Sequence, residues 1–280
     1  MKKYILLLLF IVSSLLISCT DAKVIFVDSD IDESVGAPAV SGQFNKRVLI
    51  EDFTGTWCGN CTRVAYGIEK VFEQTNKAVA VAVHNGNDPY HFDGIEPLRA
   101  IIYPDFPDFP LPTVRLNRTI TWTFPEVSNI QQVKNLTSNN CGLGLAMNST
   151  VSNGNVSLDV KVKFAQNYSN LRVVVYLLES HLFYDQRNYT DFYGPQNTPT
   201  YPNFEHNHVL RASLTNLLGN ALSETTFGKT STTSFTLPVP TDVANSEHIS
   251  FVAFVVDENN TVINVREAEA NTNQAFEENP

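Results

Sequence analysis

The sequence predicts an α/β domain followed by an all-β sandwich, and three observations carry that prediction. Residues 47–84 read as strand, turn, helix and strand: "RVLIEDF" is a short apolar run of buried-strand type, Val64, Ile68, Val71 and Phe72 share one helical face, and "AVAVAVH" is a second apolar run. Past residue 139 the period becomes two, with Val156, Leu158, Val160, Val162 and Phe164 alternating with Ser157, Asp159, Lys161 and Lys163. The length, 280 residues, suits two modest domains with cores of their own.

The chain opens with Lys2 and Lys3, an apolar run from Tyr4 to about Leu16, and small residues before Cys19, the pattern of a secretory signal and too short for a spanning helix. Leu16-Ile17-Ser18-Cys19 resembles the lipobox of bacterial lipoproteins. That resemblance implies a signal peptide over 1–18, a diacylglycerol on Cys19 and attachment to a membrane; the alternative is an ordinary signal with a chance cysteine. Thr20 rather than Asp follows, which favours the outer membrane. Residues 19–45, acidic apart from a short apolar run at Val24–Val27, read as a tether. With 19 basic against 29 acidic residues, a formal charge of −10 and no basic run, a nucleic-acid partner is excluded. Export allows Cys58 and Cys61 to form a disulfide and leaves Cys141 without an obvious partner.

The first domain is expected over 46–138. Its strand–helix–strand unit is interrupted at 85–112, where Pro, Gly and Asp argue against a single regular element and for an insertion able to roof the site or add a groove. "TVRLN" (113–117) and "ITWTF" (120–124) read as two strands joined by a tight turn, and 125–136 as a helix with proline in its first turn. The second domain, 139–280, adds "LRVVVYLL", "HVLRASL", "SFTLPV", "ISFVAFVV" and "TVINVRE", the last two joined by the hairpin turn "DENN". Short strands without helices predict an immunoglobulin-like sandwich. Residues 192–208, rich in Tyr and Pro, read as its exposed binding loop or as a plain connection.

The chemistry concentrates in "TWCGNC", residues 56–61. A cysteine placed where a helix leaves N–H groups unpaired is favoured as thiolate, which makes Cys58 the nucleophile; Cys61, one turn on, is placed to resolve a mixed disulfide. Gly59 keeps the turn tight and Trp57 offers an apolar wall. Strand, "WCGNC" and amphipathic helix together resemble the thioredoxin family. That resemblance implies that Asp52, six places before Cys58, exchanges a proton with Cys61, with Glu51 as a substitute; an Asp that only caps the turn is the bland alternative. It also nominates Pro112 in "LPTVRL" as a cis-proline facing the disulfide and Leu111 as the residue whose backbone aligns a substrate, with Pro107 and Pro110 as competitors. Gly-Asn between the cysteines leaves the redox poise open.

A lipobox, "FTGTWCGNC" and "HNHVLRA" (206–212) in one chain resemble the Omp28-related outer-membrane lipoproteins of Bacteroidetes. A single CxxC is a weak zinc signal, even with His206 and His208 expected on one strand face and His84 and His91 flanking the insertion, so no metal and no organic cofactor is expected. Cys141 reads as a small buried hydrophobe or as a trap for Cys58. The reading is a lipid-anchored cell-envelope protein performing thiol–disulfide exchange on exported proteins, recharged by a separate redox partner. The alternative is an outer-membrane binding or structural lipoprotein whose CxxC is a structural disulfide.

Overall fold

The computed structural model describes residues 23–25, 43–103, 110–194 and 198–279. The signal segment, Cys19 and most of the tether lie outside the described residues, as do Pro107 in the insertion and positions 195–197 of the expected binding loop.

In chain order the strands are β1 (Lys23–Ile25), β2 (Gln43–Lys46), β3 (Val48–Thr54), β4 (Ala78–His84), β5 (Thr113–Leu116), β6 (Ile120–Thr121), β7 (Ser138–Cys141), β8 (Leu143–Ser152) and β9 (Asn155–Phe164). They continue as β10 (Arg172–Glu179), β11 (Leu182–Arg187), β12 (Thr200–His206), β13 (Val209–Ser213), β14 (Asn220–Ala221), β15 (Thr230–Pro238), β16 (Ile249–Val256), β17 (Val262–Glu269) and β18 (Glu278–Asn279). The helices are α1 (Thr62–Phe72), α2 (Ile95–Ile102) and α3 (Ile130–Lys134).

One nine-stranded sheet organises the molecule, in the order β17-β16-β10-β13-β4-β3-β5-β6 with β14 against β10. Every residue of β3 is buried because both faces are covered. Val48 and Ile50 point to α1 and α3, packing with Val64, Val71, Trp122 and Val133; Leu49 and Phe53 point the other way, toward Ile95, Leu98 and Ile102 of α2. β10 and β16 split the same way. Val173, Val175, Phe251 and Val255 face a four-stranded sheet, β1-β15-β9-β8, and build a sandwich core with Leu145, Leu158, Val160 and Phe235, whereas Val174, Tyr176, Phe254 and Val256 join the core under α2.

The place where sequence pattern sets a domain boundary is therefore bridged. β13 lies parallel to β4, with Ala82 N–H donating to His208 O at 2.8 Å, so both halves share the large sheet and the core beneath α2. Around residue 139 the chain forms no linker: β7 pairs with β2, and β2 with β18. Periodicity along a chain carries no information about so distant a pairing.

Three local expectations change. The insertion contains α2, whose Pro97 falls in the first turn, where a missing N–H costs little. The helix expected over 125–136 is instead a 3-10 turn, Glu126–Ser128, then α3, parted at Asn129, whose carbonyl accepts Trp122 Nε1–H at 3.1 Å. The expected loop 192–208 contributes a strand, Thr200–His206, to a separate two-stranded sheet, β11–β12. No described helix is long and apolar enough to cross a membrane.

Candidate functional site

β3 ends at Thr54, and the loop that follows carries both cysteines to the start of α1. Cys58 and Cys61 form a disulfide, their Cα atoms 5.4 Å apart. Two turns are closed by Cys58 N–H to Gly55 O (3.0 Å) and Cys61 N–H to Cys58 O (3.2 Å), and Cys61 O accepts from Val64 and Ala65 as the first helical carbonyl. Only Cys61 thus stands at the helix start, and Cys58 precedes it by a turn. Both are buried, Cys58 at 5% and Cys61 at 2% exposure. Trp57 is 49% exposed; its Nε1–H donates to Asn85 O at 2.6 Å and its ring lies over Gly86, a left-handed residue at φ 77°.

The adjacent carboxylates Glu51 and Asp52 face opposite sides of the sheet. Glu51 lies toward α2, where Arg118 Nε approaches its Oε1 at 3.4 Å and the same guanidinium donates to Tyr176 Oη at 2.7 Å. It faces away from the cysteines, so its expected role as substitute proton carrier fails on strand alternation alone. Asp52 lies toward α1 and, with Cys61, lines a cavity of about 170 Å³. Small side chains, Ala65, Ala80 and Ala82, make the room, and Ile68, Phe72, Phe204 and His206 complete its walls. Asp52 is buried and its Oδ1 has no hydrogen-bond partner among the described residues. Burial, then the negative charge of Glu126, holds its carboxyl well above the usual range, and Arg63 partly offsets them. Arg63 is itself engaged by Glu126, Nε to Oε2 at 2.7 Å.

Two further groups hold the loop, and neither carried a sequence signal. Asp88 Oδ2 accepts from Thr56 N–H at 2.6 Å and lies 3.0 Å from His84 Nδ1, while its Oδ1 accepts from Tyr90 N–H at 2.8 Å. These bonds hold its pKa below the ordinary value against the cost of burial, which is the largest single influence. On the opposite side Gln186 Nε2–H donates to Cys58 O at 3.0 Å and to Gly55 O at 3.3 Å, and Tyr189 N–H donates to Gly59 O at 2.8 Å. A Cβ at Gly59 would collide with the Tyr189 ring. Gly59 has no positive φ, so space for that ring, and not a tight turn, is what requires glycine here.

A family model described as outer membrane protein Omp28 matches residues 106–274, more than half of the sequence. The chain belongs to the Omp28 family. HBP35 of Porphyromonas gingivalis has a similar fold, with a TM-score of 0.63 over 82% of this chain and 77% of that chain at 17% identity. No curated protein matches.

The Omp28 match begins after the CxxC loop and takes in Pro112, the β11–β12 hairpin and the sandwich. Leu111–Pro112 is cis, and the register Phe53↔Thr113 sets Pro112 level with the residue after Phe53, at the mouth of the loop. Leu111 packs against the core under α2, and Pro110 O accepts from Thr113 Oγ1–H at 2.6 Å. Among the described residues of the insertion, α2 covers the sheet's other face, and the contacts with the loop come from Asn85, Gly86 and Asp88. His206 and His208 do not share a strand face, because β12 ends at His206 and His208 has φ 58°. His206 instead meets His84, ring centroids 5.4 Å apart, and Tyr90 at 5.5 Å. Among the described residues no group of three or more His, Cys, Asp or Glu is disposed to hold a metal ion. Cys141 is free and buried in the sandwich core, its Sγ 3.7 Å from Ile263 O, and burial raises its pKa. It belongs to a different core from the disulfide.

Proposed function

We propose that this Omp28-family chain is an envelope thiol–disulfide oxidoreductase, lipid-anchored at the outer membrane through Cys19, whose first half is a thioredoxin-like unit and whose second is an immunoglobulin-like sandwich. The observation that carries the reading is the shared cavity: Cys61 of the disulfide and Asp52, whose buried Oδ1 has no hydrogen-bond partner among the described residues and whose pKa burial raises, line the same space. A structural disulfide has no use for a buried carboxyl left without a partner, a costly arrangement that needs a return.

In the oxidising direction a partner thiolate attacks Cys58 Sγ, the Cys58–Cys61 bond breaks with its electron pair on Cys61 Sγ, and Asp52 supplies the proton that neutralises it. A second partner thiolate then attacks the partner's sulfur in the mixed disulfide and Cys58 leaves as thiolate. Two electrons pass from the partner's two thiolates to this pair, Cys61 takes its proton from Asp52 and Cys58 remains a thiolate, and a separate redox partner removes the electrons. In the reducing direction ionised Asp52 takes the proton from Cys61, which then resolves the mixed disulfide. On this reading Trp57, next to Cys58 in the chain, and cis Pro112, level with the end of β3, are assigned to aligning the partner.

The second reading, a binding or structural lipoprotein with a permanently closed CxxC, is favoured by one observation, the burial of both cysteines. The reduction potential of the full-length chain in detergent, with Cys141→Ser and peptide-level alkylation, separates the two. Exchange requires a potential between about −270 and −120 mV, whereas a structural disulfide sits below about −300 mV.

A further inference from the structure

Attack on a disulfide requires in-line approach to the sulfur, and Cys58 is 5% exposed. The segment that closes over its loop comes from the far half of the chain. Arg187 N–H donates to Thr56 O at 2.7 Å and Tyr189 N–H to Gly59 O at 2.8 Å, so an extended stretch pairs, at alternate residues, with carbonyls on either side of Trp57–Cys58. Gln186 satisfies the Cys58 carbonyl, Thr62 Oγ1–H donates to Asn188 Oδ1 at 3.0 Å, and the Tyr189 ring covers Gly59. Further along, Phe192 stacks on Tyr66 with centroids 5.0 Å apart, and Tyr193 Oη–H donates to Glu69 Oε1 at 2.7 Å.

The two Thr56 and Gly59 pairings use main-chain groups alone, which any extended polypeptide can supply. The arm that supplies them is also built to be separable. β11 and β12 pair only with each other, outside the large sheet. Each joins that sheet through a histidine in the left-handed region, His181 (φ 56°) before β11 and His208 (φ 58°) after β12. β10 and β13 are paired strands of the large sheet, so the arm is the outer half of one long hairpin, bent where those two residues sit. Its outer surface leaves Phe183 and Tyr184 about half exposed while Leu182, Gln186 and His206 are buried on the other side, so the arm is held from one face only, as weakly held parts of a fold are.

We propose that residues 186–193 are a resident substitute for the substrate chain: they fill the edge of the WCGNC loop on which an extended polypeptide thiol pairs, and exchange at Cys58 requires that polypeptide to displace them. The inference rests on the redox reading above and deepens it in two ways. It names the substrate class, a cysteine within an unfolded or strand-edge segment rather than a small thiol, and it makes the resting enzyme self-protected against small reductants.

The test uses the full-length chain in detergent with Gln186→Ala and Tyr189→Ala as variants, and as probes dithiothreitol, glutathione and a short synthetic peptide with one cysteine. Loosening the arm should speed reduction of Cys58–Cys61 by dithiothreitol by about tenfold or more, with wild type favouring the peptide over glutathione by a similar factor. In hydrogen exchange, a redox-inert peptide with Ser for Cys should deprotect the Arg187 and Tyr189 amides of wild type, a readout that stands even where a variant fails to fold. Rates within about twofold of wild type in both variants, or amides unchanged by the peptide, would overturn the arm's role while leaving an exchange-range potential intact. Resistance of wild type and variants alike to every reductant until unfolding would remove the redox reading and the arm's role together.

Discussion

Glu51 and Asp52 are neighbours in sequence, equally buried, and a sheet's thickness apart in consequence. On the α2 side the carboxylate has company: Arg118 reaches it, donates onward to Tyr176, and lies 4.8 Å over the Phe254 ring. Burial still lifts Glu51 above its ordinary pKa, and Arg118 draws it back. On the α1 side Asp52 has a cavity and a sulfur for neighbours, and nothing holds its Oδ1. The difference teaches where this protein invests in stability and where it keeps a titratable group available. The Glu51 cluster ties β3 to β10, strands from opposite halves of the chain, whereas Asp52 lies beside a cavity with its Oδ1 unpaired among the described residues, the feature on which the proposed exchange rests.

The largest effect should come from breaking the partnered side. Arg118→Met leaves Glu51 buried without its cation and should cost about 3–5 kcal/mol in urea unfolding. Adding Glu51→Leu should return much of that loss, because the penalty belongs to the stranded charge. If the double variant is no more stable than the single, the cluster holds the halves together by shape and hydrogen bonding, and the contrast with Asp52 loses its electrostatic basis.

Next comes acid, acting on the cavity side. His206 is buried beside His84, and burial first, then that second imidazole, lowers its pKa to about 4 from an ordinary 6.5. Below pH 6.5 the unfolded chain binds a proton that the folded chain refuses, so stability falls as pH drops toward 4. The loss should approach about 3 kcal/mol and should vanish in His206→Phe, as read from urea midpoints across that range. Because His206 ends β12, the β11–β12 hairpin should lose its hydrogen-exchange protection before β10 and β16 do.

Asp52→Asn should act in the opposite direction. A carboxyl held protonated above its unfolded pKa destabilises the fold progressively as pH rises past about 4, since the unfolded chain releases that proton first. The amide should therefore stabilise the protein by about 1–3 kcal/mol at neutral pH and flatten the pH dependence in that range. It should also slow the step in which Cys61 gains or loses its proton without shifting the equilibrium potential much. A stabilised variant with unchanged exchange kinetics would make Asp52 a mere strand-end residue.

Legibility in the sequence followed the range of the interactions. The strand, CxxC turn, helix and strand were readable because each is a local pattern, and so were the alternating strands of the sandwich. Asp52 stood out through its distance from Cys58, and period-two alternation sets Glu51 on the opposite face. The β13–β4 pairing, the common core under α2 and the meeting of His84 with His206 were not readable, since each joins residues from opposite halves of the chain. The β11–β12 hairpin was hidden for another reason. "FYGPQNTPTYPNFEHNH" has the composition of a loop, and its strand is held by pairing with β11, whose end and following residues bond the WCGNC loop.

The smallest effect should be the most specific. Gly59→Ala adds one methyl group between the cysteines, where the nearest atoms it meets are those of the Tyr189 ring. Tyr189 is 65% exposed and held on its open side by the flexible Arg187 side chain, so the ring can swing outward and the stability cost should stay below about 1 kcal/mol. Once the ring leaves, Cys58 in the reduced protein should alkylate faster. The same methyl also touches the dipeptide that tunes the disulfide, so the rate alone would be ambiguous, and a double-mutant cycle removes the ambiguity. In a Tyr189→Ala background the methyl has nothing to displace, and Gly59→Ala should then leave the alkylation rate unchanged. An effect that persists without the ring would place it in the loop itself and detach Gly59 from the arm.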